Sequence, residues 1–147
     1  MKNKSKEAKL KKLMITFLAI AAAINVQAFA QDASDAKIIA YYFHGSFRCP
    51  TCVNMEKYAR EAIETGFKDA LASGKLEFRA VNVEERGNEH FAKDYKLYTK
   101  SLILSLIKKG KEVRYKNLNK IWQLAGNKQK FVDYVSTEVS EFMKEAQ

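Results

Sequence analysis

The chain carries two cysteines, Cys49 and Cys52, separated by Pro50 and Thr51. A disulfide across so short a gap closes too small a loop to brace a fold, so the pair reads as chemical rather than structural. Only a thiolate attacks a disulfide, and a free cysteine with a pKa of about 8.5 is mostly protonated at neutral pH. A helix N-terminus favours the anion through its unpaired N–H groups and the positive end of its dipole. Arg48 adds an adjacent cation. Cys49 is therefore assigned as the attacking, more exposed sulfur. Cys52, one helical turn on, is assigned as the sulfur that resolves the mixed disulfide. Pro50 suits the first helical turn, where its missing N–H costs nothing. Thr51 lies between the sulfurs, where residues tune redox potential.

His44, five residues before Cys49, has two readings. Its pKa range would let it stabilise the thiolate or shuttle protons, or its ring hydrogen-bonds the loop backbone and only shapes the turn. Tyr41, Tyr42, Phe43 and Phe47 read as core and loop packing rather than a substrate platform, and Trp122 reads as core. His90 reads as solvent-facing, without a role.

The elements around the pair must place it at the end of a strand and the start of a helix. Lys37 to Phe43 is β-rich and almost uniformly apolar, as for a strand buried on both faces. After the His44–Arg48 loop, Cys52, Met55, Ala59, Ala62, Ile63, Phe67, Ala70 and Leu71 recur at helical spacing, with a kink expected near Gly66. Ser73-Gly74 stops that helix, and Leu76 to Val83 reads as a second strand. Asn88 is a candidate N-cap for a short helix with Phe91, Tyr95 and Tyr98 on one side. Ser101 to Ile107 is another buried strand, Lys109-Gly110 a turn, and Glu112 to Tyr115 an alternating strand. A helical turn around Ile121, Trp122 and Leu124 precedes a last helix faced by Phe131, Val135, Val139 and Phe142. The order β-α-β, α, β-β-α predicts an α/β fold with a right-handed parallel crossover and a C-terminal hairpin. Together these make a four-stranded mixed sheet with helices on both faces.

The first thirty residues read differently. Six lysines between Lys2 and Lys12 precede an apolar run from Leu13 to Val26, then Ala28-Phe29-Ala30. That order is a secretory signal peptide with cleavage after Ala30. The run falls short of the ~20 residues that span a bilayer, although an uncleaved anchor is the alternative. Residues 31–36 form a polar lead-in and 37–147 one domain. Removing the signal's six Lys and one Glu lowers the net charge from +9 to +4. Export places the cysteines where disulfides persist. Lys108-Lys109-Gly110-Lys111 reads as a solvated hairpin tip or a contact for an acidic partner. Nucleic-acid binding is disfavoured for want of a clustered basic and aromatic surface.

The element order and the Cys49-Pro50-Thr51-Cys52 placement resemble the thioredoxin-like superfamily across the whole predicted mature chain. More narrowly, Tyr42-Phe43-His44-Gly45 with Arg48-Cys49-Pro50-Thr51-Cys52 is similar to the exported nitrophenyl-compound nitroreductase subunit (ArsF) family. That likeness implies a redox-active or accessory subunit of a nitroaromatic-reducing system. Its electrons would come from a membrane thiol electron transporter or another redox partner protein. No flavin or nicotinamide motif is present to bind a cofactor. Two departures stand out. Superfamily members usually have a cis-proline before the third main strand, where this chain has Ser101, so a trans Lys100–Ser101 bond is expected. The first strand also lacks the buried carboxylate that serves thioredoxin as proton acceptor. A thiol–disulfide oxidoreductase is thus the leading reading. The alternatives are a module holding copper(I), or zinc with His44 as a third ligand, and a non-catalytic interaction subunit.

Overall fold

The computed structural model describes residues 36–146. The signal peptide assigned to residues 1–30, its cleavage site and nearly all of the lead-in lie outside the described residues.

The apolar run forms the inner strand β1 (Ala36–His44), and the segment after Ser73-Gly74 forms β2 (Leu76–Asn82). The last two strands are β3 (Ser101–Lys108) and β4 (Lys111–Asn117). The sheet order is β2-β1-β3-β4, with β1 parallel to β2 and antiparallel to β3, and β3 antiparallel to β4. This is the thioredoxin-like, four-stranded mixed sheet that the sequence predicts.

Alternation along β1 explains its uniform apolarity. Ile38, Ala40 and Tyr42 join a core with Leu102, Leu104 and Leu106 of β3, while Ile39, Tyr41 and Phe43 join a smaller one with Ile103 on the other face. Helix α1 (Pro50–Gly66) buries Met55, Ala59, Ala62 and Ile63 in the larger core, and Cys52 is buried at its first turn. The anticipated kink is a break instead: Phe67 leaves helical geometry at φ −133°, and a separate short helix α2 (Lys68–Ala72) follows. On the opposite face, α3 (His90–Asp94) brings Phe91 against Tyr41 and Phe43. Helix α4 (Ile121–Leu124) and the long α5 (Lys128–Glu145) complete the larger core through Ile121, Phe131, Val135, Val139 and Phe142. Asn127 caps α5, its side-chain oxygen accepting the Lys130 N–H at 3.0 Å.

Four local expectations need correction. Asn88 is not the cap of α3; Glu89 holds that position without a side-chain bond. The Asn88 amide instead donates to the Asn82 carbonyl at 3.0 Å, tying the loop to the end of β2. Tyr98 does not share a face with Phe91 and Tyr95. Helix α3 ends at Asp94, Lys96 turns the chain at φ +51°, and Tyr98 is left 95% exposed. Phe47 is loop surface rather than packing, at 77% exposure. Trp122 is half-exposed rather than core, and its indole N–H donates to the Lys100 carbonyl at 2.9 Å. A buried indole needs a partner for that N–H, and Trp122 finds it at the surface.

The hairpin joining β3 and β4 turns on Lys109 and Gly110, at φ +51° and +73°, the two positive values that suit a tight two-residue turn. Further along, Leu106 pairs with Arg114 and Ile107 with Glu112, which leaves Val113 as an extra residue in β4. Arg114 and Lys116 reach over to Glu145 and Glu138 of α5 at 2.7 and 2.5 Å.

At the other margin, Glu77 on β2 pairs with Arg79 and, across to β1, with Lys37. The Arg79 hydrogen bond, opposed by some desolvation and reinforced by Lys37, holds the Glu77 carboxyl down to about 2. A carboxylate held below its unfolded value adds stability that is present above about pH 5 and is lost as pH falls through about 2. The Glu77 side chain is a third exposed, so screening limits this to ~0.5–1 kcal/mol. Glu77→Gln should therefore cost that much at neutral pH, with the difference from wild type narrowing as acid is added. Urea unfolding at a series of pH values checks it; a pH-independent difference refutes it.

Candidate functional site

Parallel pairing of β1 with β2 ends at His44 and Asn82, and the chain leaves the sheet there. The His44–Arg48 loop then delivers Cys49 to the N-cap of α1, in extended geometry with φ −72° and ψ 158°. Pro50 is the first helical residue, and both it and Thr51 are exposed. Cys49 and Cys52 are joined as a disulfide, their Cα atoms 5.1 Å apart. Cys49 Sγ accepts the Cys52 N–H at 3.2 Å, the bond that a serine or aspartate cap would make. The sulfurs differ in access: Cys49 is partly exposed, whereas Cys52 is 1% exposed beneath it.

Two groups hold this end of α1. Tyr42, on β1, donates its hydroxyl to the Cys52 carbonyl at 2.7 Å, tethering the helix start to the inner strand. Burial pushes the Tyr42 phenol up; nearby Arg48 opposes the shift and Glu56 adds to it. The phenol therefore remains a proton donor to that carbonyl. Arg48 bridges the other side. Its Nη2 donates to Glu56 Oε2 on α1, and its Nη1 lies 3.4 Å from His44 Nε2.

The other ring nitrogen, His44 Nδ1, lies 2.9 Å from the Gly45 carbonyl. The neutral tautomer protonated on Nδ1 meets both contacts. Among the described residues no group of three or more His, Cys, Asp or Glu side chains is placed to hold a metal ion. Both His44 ring nitrogens are engaged, one by the loop backbone and one by Arg48.

The loop is also fastened to the far end of β2. Glu84 accepts the Ser46 N–H at 3.0 Å, and Asn82 donates to the Ser46 hydroxyl at 3.2 Å. The Ser46 backbone bond, then its hydroxyl, hold the Glu84 carboxyl below the usual range, with smaller help from Lys100 and His44. A Cβ on Gly45 would run into the Glu84 carboxylate, so glycine is what permits this approach. Between the loop and the segment before β3 lies an open pocket of about 180 Å³, walled by His44, Gly45, Glu84, Tyr98 and Lys100 among others.

Ser101 begins β3 opposite Phe43, with its hydroxyl donating to the Thr99 carbonyl at 3.0 Å. No peptide bond among the described residues is cis, Lys100–Ser101 included. The structure thus brings His44, Arg48, Cys49, Pro50, Thr51 and Cys52 together at one loop and helix end. Ser101 lies on the neighbouring strand β3, paired with Phe43, the residue before His44.

Sequence reasoning missed Glu56, Glu84 and the polar role of Tyr42. For Glu56 a signal was present: it lies four residues beyond Cys52 and four before Arg60, the spacing of neighbours on one helical stripe. Glu84 and Tyr42 act through contacts between elements, which spacing along the chain does not reveal.

Neither a family model nor a curated protein matches the chain. Among solved structures it is similar to Fasciola hepatica thioredoxin, at 20% identity and a TM-score of 0.43. That alignment covers 76% of this chain and 82% of the thioredoxin. The fold assignment rests on the strand order and directions described above.

Proposed function

We propose that this chain is an exported thiol–disulfide oxidoreductase. It would take electrons from a membrane thiol electron transporter and pass them to a redox partner protein of a nitroaromatic-reducing system. The observation that supports the chemistry is the unequal pair: one sulfur caps a helix at the surface and the other is buried behind it. Export and the nitroaromatic role rest on the sequence features of the N-terminal thirty residues and of the segment around the cysteines.

In the oxidised form an incoming donor thiolate attacks Cys49 Sγ, and the S–S bond breaks with its electron pair leaving on Cys52. The donor's second thiolate then attacks its own half of the mixed disulfide and releases Cys49 as a thiolate. On the outward leg Cys49 attacks a partner disulfide and expels one partner thiolate. Cys52 then attacks Cys49 Sγ and expels the second. Each full cycle moves two electrons and, once the released thiolates protonate, two protons.

Titration of the 31–147 domain in graded thiol–disulfide buffers should give a reversible two-electron midpoint between about −270 and −120 mV. Cys52→Ser, which cannot resolve, should accumulate mixed disulfides with partner proteins. A midpoint below about −300 mV, where structural disulfides lie, would overturn the proposal. So would a Cys52→Ser variant that traps nothing.

A further inference from the structure

The Arg48 guanidinium is held in an unusual way. One arm goes to Glu56 and the other faces His44 Nε2, while Nε is buried with no hydrogen-bond partner among the described residues. Its side chain is 30% exposed and that of Glu56 only 17%. Glu56 also accepts Arg60 Nη2 at 3.3 Å, but Arg60 has a second carboxylate in Glu64 at 3.4 Å and stacks over Phe78. Among the described residues Glu56 is the sole carboxylate that pairs with Arg48. The pair lies along the first turns of α1, beside the end that Cys49 caps and near the Tyr42 hydroxyl on the Cys52 carbonyl.

We propose that Glu56 is a positioning residue for the dithiol. It holds Arg48 along α1 and offsets part of the cation's charge, and so sets how strongly that cation favours a thiolate at Cys49. The inference rests on the reading of Cys49 as the reactive sulfur. Among the described residues, the charged and titratable groups at this end of α1 come from several elements, the Tyr42 phenol on β1 among them. His44 comes from β1, Arg48 from the loop, and Glu56 and Arg60 from α1. Glu84 and Lys100 face Gly45 and the neighbouring pocket from beyond β2 and before β3. Of these, Arg48 is covalently next to Cys49, and Glu56 is its anionic partner. The Arg48–Glu56 pair lies beside the helix end that Cys49 caps, and charges in a partly buried site act on one another with less screening than in bulk water.

Glu56→Gln keeps the side chain's size and a hydrogen-bond acceptor for Arg48 but removes the charge. In the reduced protein the thiolate fraction of Cys49 at a fixed pH below its pKa should rise about three- to tenfold. The pH profile of alkylation and thiolate absorbance both report it. Arg48→Met should shift the same profile the other way by a similar factor. Stabilising the reduced form should also raise the midpoint, about 30 mV for a tenfold change in the equilibrium constant. A merely structural salt bridge would lower the unfolding midpoint of Glu56→Gln and leave the alkylation profile unmoved, and that result overturns the inference. Wild-type alkylation with a shifted Glu56→Gln profile, but no partner turnover, would sustain the inference and remove the proposed function instead.

Discussion

Cys49→Ser should abolish turnover of a small aromatic disulfide, by at least about a thousandfold, the scale seen when a covalent nucleophile is removed. A serine hydroxyl is not ionised near neutral pH, and the helix end that favours a thiolate cannot close so large a gap. The remaining thiol, Cys52, is 1% exposed and lies behind position 49, so it cannot take over the attack. Stability should respond far less, because a disulfide spanning so short a loop removes little entropy from the unfolded chain. The pair of measurements is therefore diagnostic: stopped-flow turnover collapses while the urea midpoint moves little. Retained turnover in Cys49→Ser would reassign the nucleophile.

Phe131→Ala is the second large effect, and it acts on the scaffold rather than the site. Phe131 is 0% exposed, meets the Tyr58 ring edge-on with centroids 5.7 Å apart, and anchors α5 in the core shared with α1. Truncating a fully buried phenylalanine costs about 3–5 kcal/mol, combining lost transfer energy with an unfilled cavity. A domain of this size has roughly 5–15 kcal/mol in total, so the loss is a large share of it. The thermal midpoint should fall by on the order of 10–20 °C, measured by circular dichroism on the 31–147 domain. A change under about 1 kcal/mol would mean that α5 does not pack as described.

The comparison of these two residues also shows what the chain order made legible. Phe131, Val135, Val139 and Phe142 repeat at helical spacing, and each is buried in the same face of α5. Local periodicity suffices for that. The run from Ile38 to Phe43 likewise announces a strand covered on both sides, and both small and large cores use it. The cysteine pair was legible because a proline, a turn and a helical stripe flank it. Glu56, by contrast, is one of several charged residues on α1. It matters because Arg48 folds back across eight residues to reach it. Trp122 illustrates the opposite error. Its size suggests core, but Ile121 takes the buried side of this four-residue helix, and the Trp122 N–H instead secures the segment before β3. Tyr98 failed for a similar reason: a positive φ at Lys96 ends the helical phase that would have carried it inward.

Among the described residues, neither outer strand of the sheet offers a clean template for another chain. The outer strand β2 carries the charged pair Glu77 and Arg79, with Glu77 also paired to Lys37 of β1. The outer strand β4 is distorted by the extra residue at Val113 and carries the cations Lys111, Arg114 and Lys116. Charged residues and bulges at sheet edges suppress strand-to-strand addition, the route to domain-swapped oligomers and fibrils. A concentrated solution of the 31–147 domain should consequently stay free of cross-β aggregates through repeated oxidation and reduction.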